Sequence, residues 1–166
     1  MKIIFLDHDG VMVPIWGGGS DCAMKKQNQW DVEPFSAKAV AILNNILQQT
    51  GAEIVVSSDW RNHHTLQEMR DIYAANGVIR GPIGYTINSK NYRGDNLEGG
   101  RTEEILEWVN RHRIEHWVAI DDLNMFELGQ HFVHCVKPQA GIKQTGLKEK
   151  ILQALEKDSN HVVKKD

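Results

Sequence analysis

The sequence predicts an α/β fold, a mostly parallel sheet flanked by helices within one domain. Three observations point there. Short Val/Ile-rich runs bounded by polar residues recur along the chain, and segments with helical spacing lie between them. A length of 166 residues is enough for one core and leaves little for a second.

Taken in order, the first strand is Lys2 to Leu6, which runs into Asp7, His8, Asp9 and Gly10. Residues 14–34, from Pro14 to Pro34, include Gly17 to Gly19 and read as a loop-rich insertion. Ser36 is placed to cap a helix whose apolar positions Val40, Leu43, Ile46 and Leu47 share one face, and Gly51 stops it. The second strand, Glu53 to Val56, leads into Ser57-Ser58-Asp59-Trp60-Arg61. A second helix is expected from Thr65 to Asn76, before Gly77. A third starts near Thr102, where Glu103 and Glu104 suit the positive end of the helix dipole, and its face is Ile105, Trp108 and Val109. Trp117 to Ile120 forms a strand that ends in Asp121 and Asp122, and Phe132 to Val136 forms another. A last helix carries Leu147, Ile151, Leu152 and Leu155. The single domain is thus 1–157, with 158–166 as a frayed tail.

Composition narrows the function classes. Hydrophobic residues make up 41% and charged residues 25%, with a formal net charge of -3, a balance that does not favour a polyanion-binding surface. Cys22 and Cys135 lie far apart with no CxxC spacing, so reduced thiols in a cytoplasmic protein are expected rather than a disulfide framework. The four apolar residues before Asp7 are too few for a signal peptide or a membrane span, and no later run is long enough.

In parallel sheets ligands sit beyond the carboxyl ends of the strands. Three strands here deliver polar residues to that edge: IIFL then DHDG, EIVV then SSDWR, WVAI then DDLN. Clustered carboxylates without cysteine suit a hard cation such as Mg2+. Asp7, Asp9, Asp121 and Asp122 offer such a cluster, Ser57 a hydroxyl, and Arg101 a positive charge from a helix start. Carboxylate, metal, hydroxyl and cation together suit phosphoryl transfer. In an extended chain Asp7 and Asp9 point to one side, so Asp7 can attack while Asp9 acts as general acid, and Gly10 permits a sharp exit.

Other readings fit less well. A calcium loop opening at Asp7 would need an oxygen ligand at Val11 and a glutamate at Gly18. His63-His64 are adjacent, and strand alternation splits His131, His134 and Cys135, which disfavours zinc. Gly17 to Gly19 lack the Lys-Ser/Thr of a nucleotide-binding loop. Ser57 and Trp60 also have plain structural alternatives, as a cap and as packing.

The motifs FLDHDGV, IVVSSDWR, Arg101 before EEILEWV, and VAIDD, in this order, resemble the haloacid dehalogenase (HAD) superfamily. They are most similar to the small HAD domains of multidomain RNA-repair (Swiss Army Knife) proteins, which carry SSxWR-like and EEIxxWL-like segments. The resemblance implies a Rossmann-like HAD fold with a minimal cap, and a phosphatase that works through an aspartyl-phosphate with Mg2+. Asp7 would be the nucleophile and Asp9 the general acid/base, with its backbone carbonyl on the metal. Ser57, with Ser58 beside it, would bind the phosphoryl group. Arg101 would replace the usual lysine as charge clamp, a role that Lys90 or Arg93 could also fill. Asp122 would bind metal directly, with Asp121 behind it. Trp60 and Arg61 would be placed to stack a base or hold a second phosphate. A small or loop-built cap leaves an open site, which favours large substrates such as a polynucleotide end or a phosphorylated protein. The alternatives are a phosphatase of a small metabolite or phosphoprotein, and a non-catalytic HAD-fold binding protein.

Overall fold

The computed structural model describes residues 1–15, 35–87 and 97–157. The insertion's residues 16–34, with Cys22 and the glycine triplet, lie outside the described residues, as do Lys90, Arg93 and the 158–166 tail. The strands are β1 (Lys2–Leu6), β2 (Glu53–Val56), β3 (Gly84–Tyr85), β4 (His116–Asp121) and β5 (Phe132–His134). The helices are α1 (Ala37–Thr50), α2 (Leu66–Ala75), α3 (Leu97–His112) and α4 (Leu147–Ala154). Among the described residues the strands form one all-parallel sheet in the order β3-β2-β1-β4-β5. The expected α/β fold is therefore the observed one.

Strand β1 is central because it can be covered on both faces. Ile3, Ile4, Phe5 and Leu6 are all fully buried, as a continuous apolar run in a parallel sheet requires. Alternation sends Ile4 and Leu6 into a core shared with Leu43, Ile46, Leu47 and Ile151 of α1 and α4. Ile3 and Phe5 enter a second core with Ile105, Trp108 and Val109 of α3. There Phe5 meets Trp108 and Trp117 edge-on, at 5.6 and 5.8 Å between ring centroids.

Helix ends show where local signals sufficed. Thr65 and Glu68 form a reciprocal capping box at the start of α2. Ser36 does precede α1, yet its side chain makes no capping hydrogen bond. Helix α3 begins at Leu97, not near Thr102, so Arg101 projects from within the helix. Gly99 and Gly100 are poor helix formers, so propensity alone points to a later start than the one observed. Strand β5 stops at His134, two residues short of Val136, which is exposed. The two-residue β3 gives no periodic signal at all; flanking bonds from Ile83 N to Ile54 O (2.8 Å) and Thr86 N to Val56 O (3.0 Å) extend its pairing.

The loop leaving β1 turns tightly. The His8 carbonyl accepts bonds from the N–H groups of Val11, Met12 and Val13, at 3.2, 2.8 and 2.9 Å. Gly10 sits at φ +77°, and a Cβ there would come within 2.5 Å of Asp122 Oδ2. From the other side a 3-10 turn at Gly141–Lys143 braces this loop, with Ile142 N donating to Val11 O at 3.0 Å.

Candidate active site

Backbone register sets three polar residues in one row at the carboxyl edge of the sheet. Leu6 pairs with Val56 and with Ile120, so Asp7 stands level with Ser57 and Asp121. Two bonds carry the ladders into that row: Asp7 N to Ile120 O and Ser57 N to Leu6 O, each 3.1 Å. Continued alternation puts Asp7 and Asp121 on the α3 side, where Arg101 meets them. Its Nη1 lies 2.8 Å from Asp121 Oδ2 and 3.3 Å from Asp7 Oδ1, and its Nη2 lies 3.3 Å from Asp59 Oδ1.

Asp7, Asp121 and Asp122 can each offer a carboxylate oxygen such that all lie within 4.8 Å of one another, the sole such group among the described residues. No imidazole or thiol joins it. Burial, then Asp121, pushes the Asp7 carboxyl well above its ordinary range, with Arg101 pulling it back only in part. Burial also raises Asp121, against the pull of Arg101, while burial and the Asp121 charge raise Asp122. Burial opposes the Arg101 charge, but Asp7, Asp121 and Asp59 outweigh it and hold the guanidinium above its usual range. Three repelling carboxyls, two buried and one half-buried, with oxygen donors only are what a hard divalent cation would relieve, so the residues fit such an ion.

This charge arrangement has a measurable consequence. The folded state raises these carboxyls above the unfolded value of 3.8, so it holds their protons more tightly than the unfolded chain does. Their contribution is therefore fully present below about pH 4 and is lost as pH rises through the raised values. A cation binds the charged form and reverses the trend. Thermal melts in chelator should show these groups costing stability as pH rises above about 4, and Mg2+ should restore more near pH 7 than near pH 5. A rescue that does not grow with pH would count against cation binding by the triad.

The other expected residues divide. The Ser57 hydroxyl is buried, with the residue 1% exposed, and has no hydrogen-bond partner among the described residues. Ser58 instead spends its hydroxyl on the next turn, accepting from Trp60 N at 3.4 Å. The capping role therefore falls on Ser58, whose O–H can still donate to another group. Asp9 does not bring its side chain into the acidic group; its Oδ2 accepts the indole N–H of Trp60 at 2.9 Å. Trp60 is only 7% exposed and packs on His8 and Phe35, which leaves little face for a base. Arg61 also turns inward, donating to Glu104 at 2.7 Å and Thr86 Oγ1 at 3.0 Å, with the side chains of the ion pair 7% and 9% exposed. The reason is the 3-10 turn Asp59–Asn62, which curls both side chains back against the sheet and α3.

His8 points away from the acids. Its Nε2 shares a 2.8 Å hydrogen bond with Tyr73 Oη, and burial, with smaller effects of His64 and Arg101, lowers its pKa to about 3, so it is neutral. His131 stacks on Trp117 and His134 bonds to the Asp122 carbonyl, so neither is drawn to a metal group. Cys135 is a buried free thiol, pushed up by burial and then by the nearby aspartates. Asp59 was missed in the sequence; its carboxylate is 64% exposed, and only the fold brings it to Arg101. No described helix is long and apolar enough to cross a membrane.

A family model for the HAD domain in Swiss Army Knife RNA repair proteins matches residues 3–150, and the chain belongs to that family. No curated protein and no solved structure shows a significant match.

Proposed function

We propose that this HAD domain is a Mg2+-dependent phosphomonoester hydrolase that works through an aspartyl-phosphate on Asp7 and takes phosphates at nucleic-acid ends. The observation that carries the reading is Asp7 itself. It is buried at the tip of the central strand, within 3.3 Å of a guanidinium and inside an acidic triad. A carboxylate so placed has a cation at hand for an incoming phosphate and neighbours suited to a metal.

The residues divide the work as follows. Arg101, turned toward Asp7, holds the phosphoryl oxygens, and the Ser57 hydroxyl, unpartnered among the described residues, donates to another of them. An Asp7 oxygen forms a bond to phosphorus as the bond from phosphorus to the leaving oxygen breaks. The electrons of that bond stay with the leaving oxygen, which takes the Asp9 proton and departs as an alcohol. Asp9, now a carboxylate, takes a proton from the water that attacks the aspartyl-phosphate, which frees phosphate and restores Asp7. Asp122 would hold the metal directly and Asp121 would stand behind it, since the two Asp121 oxygens already accept from Arg101 and from Leu123 N at 2.9 Å. When bound, Mg2+ neutralises the charge that develops on the phosphoryl oxygens.

The nucleic-acid end is supported by the family's occurrence in RNA repair proteins. Half-buried Asp9 and Asp122 and exposed Asp59 put part of the site within reach of solvent, as a large substrate requires. The test compares 3'-phosphorylated oligonucleotides with mononucleotides, sugar phosphates and a phosphopeptide, in Mg2+ and in chelator. Mg2+-dependent turnover with kcat/KM about tenfold or more higher on the oligonucleotide supports the proposal. Preference for a small phosphate or the peptide moves the substrate class. No turnover of any of them, nor of a generic aryl phosphate, leaves a binding protein.

A further inference from the structure

We infer that Trp60 is a positioning residue for Asp9: its indole N–H holds carboxyl oxygen Oδ2, so that Oδ1 is the oxygen that passes the proton to the leaving group. This rests on the proposed reaction and adds a residue to it.

The inference begins with donor chemistry. An indole nitrogen donates and cannot accept. Trp60 Nε1 lies 2.9 Å from Asp9 Oδ2, across 51 positions of sequence. In a protonated carboxyl the carbonyl-type oxygen is the better acceptor and the hydroxyl oxygen the poorer. A fixed N–H on Oδ2 therefore favours the proton on Oδ1, in the same way that a bonded second nitrogen selects a histidine tautomer.

Such a donor steers only if it is itself held. The Trp60 ring lies at 4.6 Å from the His8 ring, 6.0 Å from Phe35 and 6.3 Å from His64. His8 in turn is tied to Tyr73, whose ring also meets Phe35 edge-on. The backbone is pinned on either side, by Ser58 Oγ on Trp60 N and by the buried pair of Arg61 with Glu104. His8, the residue between the two acids, thus helps form the wall that holds the indole. A rigid, buried donor on a half-buried carboxyl is what orientation of a general acid requires.

In the step concerned, the Oδ1–H bond of Asp9 breaks as the O–H bond of the leaving alcohol forms. Its importance scales with how much the leaving oxygen needs that proton. Trp60→Phe keeps the ring and removes the N–H. Its kcat should be compared on a 3'-phosphorylated oligonucleotide, which leaves as a poor alkoxide, and on an activated aryl phosphate, with Asp9→Asn alongside. The expected result is a loss about tenfold or more greater on the alkyl ester than on the aryl ester, with KM little changed, and a larger bias of the same kind in Asp9→Asn. Equal losses on both esters, with Asp9→Asn still biased, would show that Trp60 only packs. No bias in Asp9→Asn would remove the general-acid reading, and this inference with it. A second readout needs no turnover. The indole N–H resonance absent from Trp60→Phe should be slow to exchange in the wild-type protein and faster in Asp9→Ala; unchanged exchange would overturn the assignment.

Discussion

Asparagine at position 7 should lower kcat for phosphomonoester hydrolysis on the order of 10⁴-fold or more, while raising the melting temperature of the metal-free protein. The amide keeps the shape of Asp7 and an oxygen that can accept from Arg101, 3.3 Å away, but it cannot form the acyl phosphate. The gain in stability follows from the same geometry. Burial and Asp121 already disfavour the Asp7 charge, so removing it relieves both. Kinetics on an aryl phosphate, with melts in chelator and in Mg2+, check the two halves together. Lost activity with gained stability marks a residue retained for chemistry at the expense of the fold. Turnover near that of the wild type would instead mean that Asp7 is not the nucleophile.

Gly141→Ala should be the most destructive small substitution outside the acids, at about 3 kcal/mol or more. An added Cβ would lie 2.1 Å from Val11 O and 2.8 Å from Val11 C, so it would meet backbone that no rotamer change can move. The residue also sits at φ +56°, which is strained for an L side chain. Relief would have to push the 3-10 turn away from the loop after β1 and break the Ile142 N to Val11 O bond. Gly51 makes the control, since it has φ +66° with nothing within 4 Å of an added Cβ. Gly51→Ala should cost only about 1–2 kcal/mol of backbone strain. Urea unfolding of the two variants separates them, and equal costs would show that the close approach at Gly141 is not structural.

Much of this site could be read from the sequence, because a parallel sheet turns apolar runs into ordered strand ends. β1 and β2 stand at Lys2–Leu6 and Glu53–Val56 as expected, so Asp7 and Ser57 reach one row. Alternation even held an unused signal. Val55 lies in the α3-side core with Ile3 and Phe5, which places Ser57, not Ser58, on the side of Asp7. What escaped were features that depend on distant partners. Glycines masked the first turn of α3, and nothing local foretold the curl that turns Trp60 and Arg61 inward. The bond from Trp60 to Asp9 and the contact from Asp59 to Arg101 likewise exist only once separate elements meet.

The placement of β1 also bears on time. It pairs Ile3 with Glu53 on one side and with Trp117 on the other, so the middle of the sheet is closed by contacts that are remote along the chain. Folding of such a topology must close long loops before the contacts reward it, which places it toward the slower end for single domains. Until β4 docks, one edge of Ile3 to Leu6 has no partner, the kind of surface on which partly folded chains associate. Asp7, Arg101 and Asp121 come together only when that last edge closes. Activity should therefore appear in one step with the final population during refolding, and no collapsed intermediate should turn over substrate.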